Sequence, residues 1–323
     1  MKLVTYASGK ELRVGVVEGD WVVDIEGVVE LISKRNVPRS LEEQPGFKTA
    51  RRNVLAPGSA PGDMIELLKR GEGWRKALRM ITKSLPETFG AKKPLKGLLT
   101  PLKSACLSSP VTRPPKITLV GLNYADHSRE QGKEPPTKPI FFAKTINALS
   151  GPGDPIVIPP QSTQVDYEAE LTVVIGKVGT RIREEGAYDY VAGYTIMNDV
   201  SEREMQHGDR QWYRGKSCDT FAPTGPWIVT SDEIPDPHHL RISTTLNGQT
   251  MQDSNTSNLI FNVPYLVSYL SRGITWEVGD LIATGTPPGV GVWRNPPVFM
   301  KPGDTVSVTV EGIGTLTNPV VGQ

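Results

Sequence analysis

The stretch DYEAELTVVI, residues 166–175, begins with alternating acids and continues as an apolar run. Its Thr, Val and Ile residues favour a β-strand, and the run has the length of a buried strand. Alternate residues of a strand share a face, so Glu168 and Glu170 point the same way, about 7 Å apart along the chain. Because two neighbouring buried carboxylates repel each other, the stretch predicts a nearby cation.

A third carboxylate, Asp199, follows another apolar strand pattern, the run YTIMN at residues 194–198. An acid at the end of a buried strand often points into a site. Three carboxylates without Cys or His nearby form a set of hard oxygen ligands, which suits Mg²⁺, Mn²⁺ or Ca²⁺ better than Zn²⁺. The alternative is an exposed edge strand whose glutamates are solvated.

Further segments carry strand patterns that end in turn residues. They are KITLVGL (116–122), PIVI (155–158), GPWIVT (225–230), RISTTLNG (241–248), DLIATG (280–285) and TVSVTVEGIGTL (305–316). Asn247-Gly248 predicts a hairpin. A helix is predicted over about 262–271, and a second helical region over 63–85 is interrupted by Gly71 and Gly73.

The stretch SSPVTRPP, residues 108–115, marks a domain boundary, because its three prolines fit neither a helix nor a central strand. We predict a small N-terminal α/β domain over residues 1–110 and a larger domain over residues 111–323. Many short strands and few helices in the larger part predict a mainly β fold with some α, an α+β class with a mixed, barrel-like core.

Composition excludes several classes of protein. The chain has 323 residues and a formal net charge of +1, which gives no case for nucleic-acid binding. Its apolar runs are shorter than the roughly 18 residues of a membrane span, and the N-terminus has no signal-like apolar region. Cys106 and Cys218 cannot form a disulfide scaffold. We therefore expect a cytoplasmic protein without nucleic-acid or membrane partners.

A second group of polar residues follows the strand pattern KITLV, in GLNYADHSRE at residues 121–130. His127 and Glu130 are three residues apart, so one helical turn brings them together. A carboxylate beside an imidazole fixes one tautomer and raises the basicity of the other nitrogen, which suits a general base. The alternative is a surface helix with an incidental ion pair.

Two glycine-containing turns complete the candidate site. Small residues flank Lys216 in RGKSCDTFAP, residues 214–223, and would let its ammonium approach a ligand closely. The turn TGTPPGVG, residues 284–291, offers backbone N–H groups and hydroxyls to an anion. An ordinary surface lysine and a tight turn are the alternatives. Residues 205–213, MQHGDRQWY, are candidates for a distal pocket or for the core.

Taken together, NYADHSRE, DYEAEL, YTIMNDVSERE, RGKSCDTFAP and TGTPPGVG resemble the fumarylacetoacetate hydrolase family, in the family's order and over roughly residues 115–321. The resemblance implies a mixed β-roll or barrel-like core, a homodimer and a divalent metal, Mg²⁺ or Mn²⁺. Some members carry a further acid where this chain has Leu122, so we expect water in the remaining metal positions. This difference favours the acylpyruvase and 2-hydroxyhepta-2,4-diene-1,7-dioate isomerase branch.

The resemblance also implies a role for each matching residue. It implies metal ligands Glu168, Glu170 and Asp199, a catalytic dyad His127 and Glu130, a catalytic Lys216, and substrate contacts Arg203, Gln206, Thr286 and Tyr124.

The implied reaction is hydrolysis of a C–C bond in an acylpyruvate, a β-diketo acid, through a metal-bound pyruvate enolate, with the dyad activating water. The same enolate serves decarboxylation of oxaloacetate-like acids and isomerisation or dehydration of 2-oxo acids, in catabolism such as that of aromatic compounds. The polar segment 129–139 is predicted to be a mobile lid. A remote alternative is a non-enzymatic β-domain stabilised by Ca²⁺, which would have no use for the dyad.

Overall fold

The computed structural model describes residues 1–34, 37–90 and 97–323. The chain divides into two compact units, Met1–Val111 and Thr112–Gln323, at a point within the proline-rich stretch. In the described ranges, no helix combines the length and the apolar character that a membrane span requires.

The first unit is built on short antiparallel strands. They are β1 (Lys2–Ser8), β2 (Glu11–Glu18), β3 (Trp21–Asp24), β4 (Leu99–Pro101) and β5 (Leu107–Ser108). Their order is β4-β3-β2-β1, and β5 also pairs with β1. The sequence segments KLVTYA, LRVGVV and WVVDI, each rich in β-branched residues, form the first three of these.

The helices of the first unit are α1 (Ile25–Ser33), α2 (Arg39–Glu42), α3 (Phe47–Leu55), α4 (Met64–Lys69) and α5 (Gly71–Thr82). The helical region expected over 63–85 is therefore two helices. Gly71 has a φ of 80°, which breaks the helical path there because L side chains rarely adopt it. Asp63 caps α4 by accepting a hydrogen bond from the backbone N–H of Glu66 at 2.8 Å.

The second unit carries most of the strands. They are β6 (Ile117–Gly121), β7 (Ile140–Ala143), β8 (Leu149–Ser150), β9 (Ile156–Ile158), β10 (Val165–Asp166), β11 (Ala169–Ile175), β12 (Val191–Asn198), β13 (Ser201–Glu202), β14 (Ala222–Thr230), β15 (Arg241–Leu246), β16 (Gln249–Asn255), β17 (Leu281–Ala283), β18 (Thr305–Val310) and β19 (Gly314–Gly322). Its helices are α6 (Ala125–Glu130), α7 (Arg203–Gly208), α8 (Tyr213–Lys216) and α9 (Val263–Ser271).

These strands form two large arrays. One has the order β14-β12-β11-β17-β6-β7, with β8 beside β14, and the other has the order β16-β15-β18-β19-β9. The second array packs on β11, β12 and β14. The mixed α and β class is confirmed, and the barrel-like core consists of packed sheets that stay open within the described residues.

The core explains why the opening stretch is so apolar. All seven residues of β11 and all eight of β12 are buried, since each strand has both faces covered. Ala169 and Leu171 lie in the hydrophobic core, as expected for the face opposite the acids, and Glu168 and Glu170 are buried as well.

Two local predictions are confirmed. Asn247 and Gly248 both have positive φ and join β15 to β16 as a hairpin. The helix expected over about 262–271 is α9, and Asn262 caps it by accepting from the backbone N–H of Tyr265 at 2.8 Å. The run TVSVTVEGIGTL, by contrast, forms the two antiparallel strands β18 and β19, because Gly312 turns the chain with a φ of 74°.

Candidate metal centre

The three predicted metal-ligating carboxylates converge at one end of the β11–β12 pair. The antiparallel register places Ala169 opposite Asn198, so the start of β11 meets the end of β12. Glu168 directly precedes β11, and Asp199 directly follows β12. The candidate ligand oxygens of Glu168, Glu170 and Asp199 lie within 4.8 Å of one another, and all three residues are buried.

Backbone contacts hold this convergence in place. The N–H of Asp199 donates to the carbonyl of Glu168 at 2.9 Å, and the N–H of Glu168 donates to Oδ1 of Asn198 at 3.0 Å. Oε2 of Glu170 accepts from the N–H of Gly285 at 2.8 Å. The strand ends and the turn after β17 therefore set the carboxylate positions together.

Buried cations surround the carboxylates. Nζ of Lys216 lies 2.8 Å from Oε2 of Glu168 and 2.6 Å from Oδ2 of Asp199. Nη1 of Arg203 lies 2.7 Å from Oε1 of Glu168, and Nζ of Lys144 lies 2.8 Å from Oδ1 of Asp199. These contacts offset the repulsion that the sequence pattern implies, since unpaired buried charges are costly.

The carboxyls differ in their electrostatic surroundings. Burial disfavours the charged form of Glu168, but Lys216 and Arg203 outweigh burial and hold the pKa of Glu168 well below its usual range. Burial, with the charges of Asp199 and Glu168, raises the pKa of Glu170 well above its usual range. A divalent cation beside Glu170 would oppose this effect, so the all-oxygen donor set fits such an ion.

The predicted dyad is formed within a single helical turn of α6. Nδ1 of His127 lies 2.8 Å from Oε2 of Glu130, and Nε2 lies 2.7 Å from the side-chain nitrogen of Gln131. A carboxylate only accepts and an amide nitrogen only donates. One tautomer satisfies both contacts, with the proton on Nδ1 and the lone pair on Nε2.

The dyad is tied to the turn at residues 284–291. Oε1 of Glu130 accepts from the backbone N–H of Gly289 at 2.9 Å, while its other oxygen holds His127. Thr286 Oγ1 in the same turn accepts from Nε2 of Gln252 at 2.8 Å. The imidazole and this turn are therefore positioned through one shared carboxylate.

A buried carboxylate positions the arginine of the site. Asp166 Oδ2 accepts from Nε of Arg203 at 2.9 Å and from its Nη2 at 2.7 Å. The same carboxylate accepts from the backbone N–H groups of Gly291 at 2.7 Å and Val292 at 3.0 Å. Arg203 also donates to Oε1 of Gln206 at 2.9 Å.

A cavity of about 200 Å³ lies over the carboxylates. This volume suits a small acid better than a drug-sized ligand. The predicted residues on its wall are His127, Glu168, Glu170, Arg203, Gln206, Lys216 and Thr286. Of residues 205–213, His207 and Trp212 also line it. Gly121 admits the Trp212 ring, because a Cβ there would lie 2.5 Å from Cζ3 of the indole.

Three predicted residues lie away from the cavity wall. Asp199 and Glu130 stand behind it, in contact with Lys216 and His127 respectively. Tyr124 is fully buried in the hydrophobic core, so the structure does not bring its ring to the cavity. Lys216 ends the short helix α8 rather than lying in a turn, and it is buried rather than at the surface.

Several residues that shape the site were not predicted from the sequence. No function was predicted for Asp166, although it begins the stretch DYEAELTVVI. Gln131 was predicted only to belong to the lid at residues 129–139. Lys144 follows β7 directly, so the reasoning applied to Asp199, a charge at the end of a strand, could have found it. Its ammonium is buried and contacts the carbonyls of Val200 at 2.9 Å, Phe221 at 2.7 Å and Lys216.

Comparisons with known proteins agree with this site. The family model described as "Fumarylacetoacetate (FAA) hydrolase C-terminal" matches residues 116–321. The chain is 43% identical over 284 residues to oxaloacetate tautomerase FAHD2A, mitochondrial, from Bos taurus, covering 87% of this chain and 86% of the relative. It is 40% identical over 281 residues to oxaloacetate tautomerase YisK from Bacillus subtilis, covering 85% and 91%. One relative is named as mitochondrial and the other is bacterial, so the cytoplasmic location stays a prediction.

Solved structures show the same architecture over the whole chain. A fumarylacetoacetate hydrolase from Exiguobacterium antarcticum matches with a TM-score of 0.76 and 32% identity, covering 100% of both chains. Maleylpyruvate hydrolase from Sphingobium sp. SYK-6, in complex with manganese(II) and pyruvate, matches with a TM-score of 0.71 and 31% identity, covering 100% of this chain and 99% of that one. With its acidic triad, its dyad and these relatives, the chain belongs to the fumarylacetoacetate hydrolase family of divalent-metal-dependent enzymes.

Proposed function

We propose that the protein interconverts the keto and enol forms of a small 2-oxo acid of the oxaloacetate type, with a divalent cation bound by Glu168, Glu170 and Asp199. One observation carries the proposal: His127 lines the cavity with Glu168 and Glu170, its Nε2 carries a lone pair that accepts from Gln131, and Glu130 holds the proton on Nδ1. Two relatives that are 40% or more identical are named as oxaloacetate tautomerases, which supports this substrate type.

The imidazole of His127 carries the proton once Gln131 has released its Nε2. Nε2 of His127 takes a proton from C3 of the substrate, and the electrons of that C–H bond form the C2=C3 double bond. The electron pair of the C2=O π bond moves to the oxygen, and the imidazolium returns its proton there to give the enol. Glu130 stabilises the imidazolium while it carries the positive charge.

The other residues hold the charges that the reaction develops. When bound, the divalent cation supplies Lewis-acid polarisation of the keto group. Lys216 and Arg203 lie on the cavity wall and can bind the substrate's oxygens through their positive charge. Gln206 is held by Arg203 at 2.9 Å, so its amide is oriented on the same wall.

Hydrolysis of a C–C bond in an acylpyruvate is the second candidate. The dyad favours it, because a lone pair on Nε2 suits activation of water as well as abstraction of a carbon-bound proton. Maleylpyruvate hydrolase, a structural neighbour, bears this reaction class in its name. Gln131 donates to the same Nε2 lone pair that either reaction needs, so it has to move aside in both. The names of the relatives are what favour tautomerisation.

The test follows oxaloacetate and acetylpyruvate in parallel, with Mg²⁺, Mn²⁺ or EDTA. Ultraviolet absorbance reports the keto–enol exchange, and lactate dehydrogenase coupling reports pyruvate. We expect metal-dependent acceleration of the oxaloacetate exchange without stoichiometric pyruvate. Metal-dependent pyruvate from acetylpyruvate would establish the hydrolase, and pyruvate from oxaloacetate would establish a decarboxylase. No acceleration of any of these reactions would overturn the proposal.

A further inference from the structure

The mouth of the cavity carries a lysine that the reaction above does not use. Lys133 lines the cavity together with Gln131, His207 and Trp293. It lies just beyond α6, in the segment 129–139 that the sequence analysis treated only as a lid. Gln131 links it to the base, since this side chain contacts both Lys133 and Nε2 of His127.

The contacts of this ammonium are with neutral groups. Nζ of Lys133 donates to Oε1 of Gln131 at 2.8 Å and lies 5.9 Å from the centre of the Trp293 ring. Other lysines of this unit, such as Lys116 and Lys301, are paired with aspartate carboxylates. Lys133 is instead held over the cavity by an amide and an aromatic face, which leaves its charge for a ligand.

Lys133 brings a positive charge to the mouth of the cavity. The pKa of His207 is lowered first by burial and then by the charges of Arg203 and Lys133, so Lys133 lies near this ring. Arg203 is already paired with Asp166 and Glu168, whereas Lys133 contacts neutral groups and can attract an anion.

We propose that Lys133 binds the distal carboxylate of the substrate and thereby selects dicarboxylic 2-oxo acids over monocarboxylic ones. The inference rests on the proposed function and names the substrate class of that same site. A 2-oxo-carboxylate end bound over Glu168 and Glu170 places C3 beside His127. The carboxylate at C4 then reaches the side of the cavity where Gln131 and Lys133 lie.

The contact between Gln131 and Lys133 supports this assignment. Because Oε1 of Gln131 accepts from Lys133, its amide nitrogen is left to donate, and it does so to Nε2 of His127. A carboxylate arriving at Lys133 also meets this amide donor. The mouth therefore offers one charged and one neutral donor to the two oxygens of a carboxylate.

The test compares two four-carbon acids that differ only at C4. Oxaloacetate carries a carboxylate there, and 2-oxobutyrate carries a methyl group. Exchange of the C3 protons in D₂O with Mg²⁺, followed by NMR, gives KM and kcat for both acids. In Lys133→Met we expect KM for oxaloacetate to rise roughly tenfold, as for loss of one charged hydrogen bond, with kcat and the KM for 2-oxobutyrate nearly unchanged.

Two variants serve as controls. Lys133→Arg keeps the positive charge and should restore most of the preference for oxaloacetate. Lys138→Met removes an exposed lysine from the same segment and should leave both KM values unchanged. An equal change for both acids in Lys133→Met, or no change for either, would overturn the role of Lys133.

Calorimetric binding distinguishes failure of the Lys133 contact from failure of the proposed tautomerase function. If the wild-type protein exchanges no C3 protons, the proposed function fails, and selectivity is then measured as the ratio of the Kd values for the two acids with Mg²⁺. A ratio that favours oxaloacetate and falls roughly tenfold in Lys133→Met supports the carboxylate contact. A ratio that is the same in both proteins contradicts it.

Discussion

At the residue scale, the imidazole of His127 is held through both of its ring nitrogens. Glu130 fixes the proton on Nδ1 at 2.8 Å, and Gln131 meets the lone pair on Nε2 at 2.7 Å. The side chain is buried, so solvent does not select its orientation. A base held in this way needs no rearrangement of its own ring before it accepts a proton.

Replacing this base should remove catalysis and spare the metal site. In His127→Ala we expect kcat to fall by roughly 10²–10⁴-fold, the usual contribution of a general base. Mg²⁺ affinity should stay nearly unchanged, because His127 is not one of the three converging acids. C3 proton exchange gives kcat, and calorimetric titration gives the affinity. Turnover equal to that of the wild type would rule out the base assignment.

Asp166 is the residue whose loss should affect the most contacts. Its carboxylate accepts from Arg203 and from the backbone of the segment at Gly291 and Val292. Asp166→Asn turns one acceptor oxygen into a donor and removes one of the two carboxylates that pair with the buried guanidinium, the other being Glu168. We expect the free energy of unfolding to fall by about 3–5 kcal/mol, measured by urea denaturation. A loss below about 1 kcal/mol would contradict the positioning role.

At the element scale, two short helices deliver Arg203, Gln206 and Lys216 to the cavity. Helices α7 and α8 approach each other closely at Gly215. A Cβ added at Gly215 would lie 2.6 Å from the backbone nitrogen of Gln206 and 2.6 Å from the carbonyl oxygen of Glu202. Only a residue without a side chain allows this packing.

Gly215→Ala should therefore separate the two helices. We expect a loss of about 1–3 kcal/mol in the free energy of unfolding, as for overpacking in a core, together with reduced activity because Lys216 is the next residue. Gly208→Ala is the matched control on α7, since no atom lies within 4 Å of its added Cβ. Equal unfolding midpoints for the two variants in urea would contradict this packing argument.

The sequence predicted those elements whose pattern is local. The apolar runs of β11 and β12, the helix over about 262–271 and the hairpin at Asn247-Gly248 depend on neighbouring residues, and the structure has each of them. Helices α2 and α3 were not predicted, because the charged stretch 39–55 has little apolar periodicity. The interruption at Gly71 was predicted, but the packing of α5 against α3 was not.

In the site, too, only residues related by short spacing in the sequence could be predicted to lie together. Glu168 and Glu170 are two residues apart, and His127 and Glu130 are three apart, so spacing alone brings each pair together. Lys144 was missed because its partners are carbonyls 56 to 77 residues away, at Val200 and Phe221 among others. A local pattern marks Lys144 as a charge at the end of a strand, but it does not identify partners at such separations.

At the scale of the whole molecule, buried cations pair with two of the three carboxylates of the site. Lys144, Arg203 and Lys216 contact the carboxylates of Glu168 and Asp199. The fold therefore does not depend on an added cation to offset their repulsion. This separates the present protein from small domains that unfold when their metal is removed.

Metal removal should accordingly abolish activity while the protein stays folded. With EDTA we expect a cooperative thermal transition and no C3 proton exchange. Mg²⁺ at 100 times its Kd should add about 2.7 kcal/mol of stability and raise Tm. Glu170→Gln removes one ligand and should lose the Mg²⁺-dependent shift. Identical Tm values in EDTA and Mg²⁺ would argue against a metal site.

The shared carboxylate of Glu130 makes the Nδ1 proton of His127 a natural reporter of the turn at Gly289. One oxygen holds the imidazole proton, and the other holds the backbone N–H of the turn. The Nδ1 proton exchanges with bulk water only while its hydrogen bond to Glu130 is open. Because Glu130 also binds the turn at Gly289, the exchange rate of this proton in an NMR spectrum reports how often the contacts of Glu130 open. The measurement needs no label or substitution near the site.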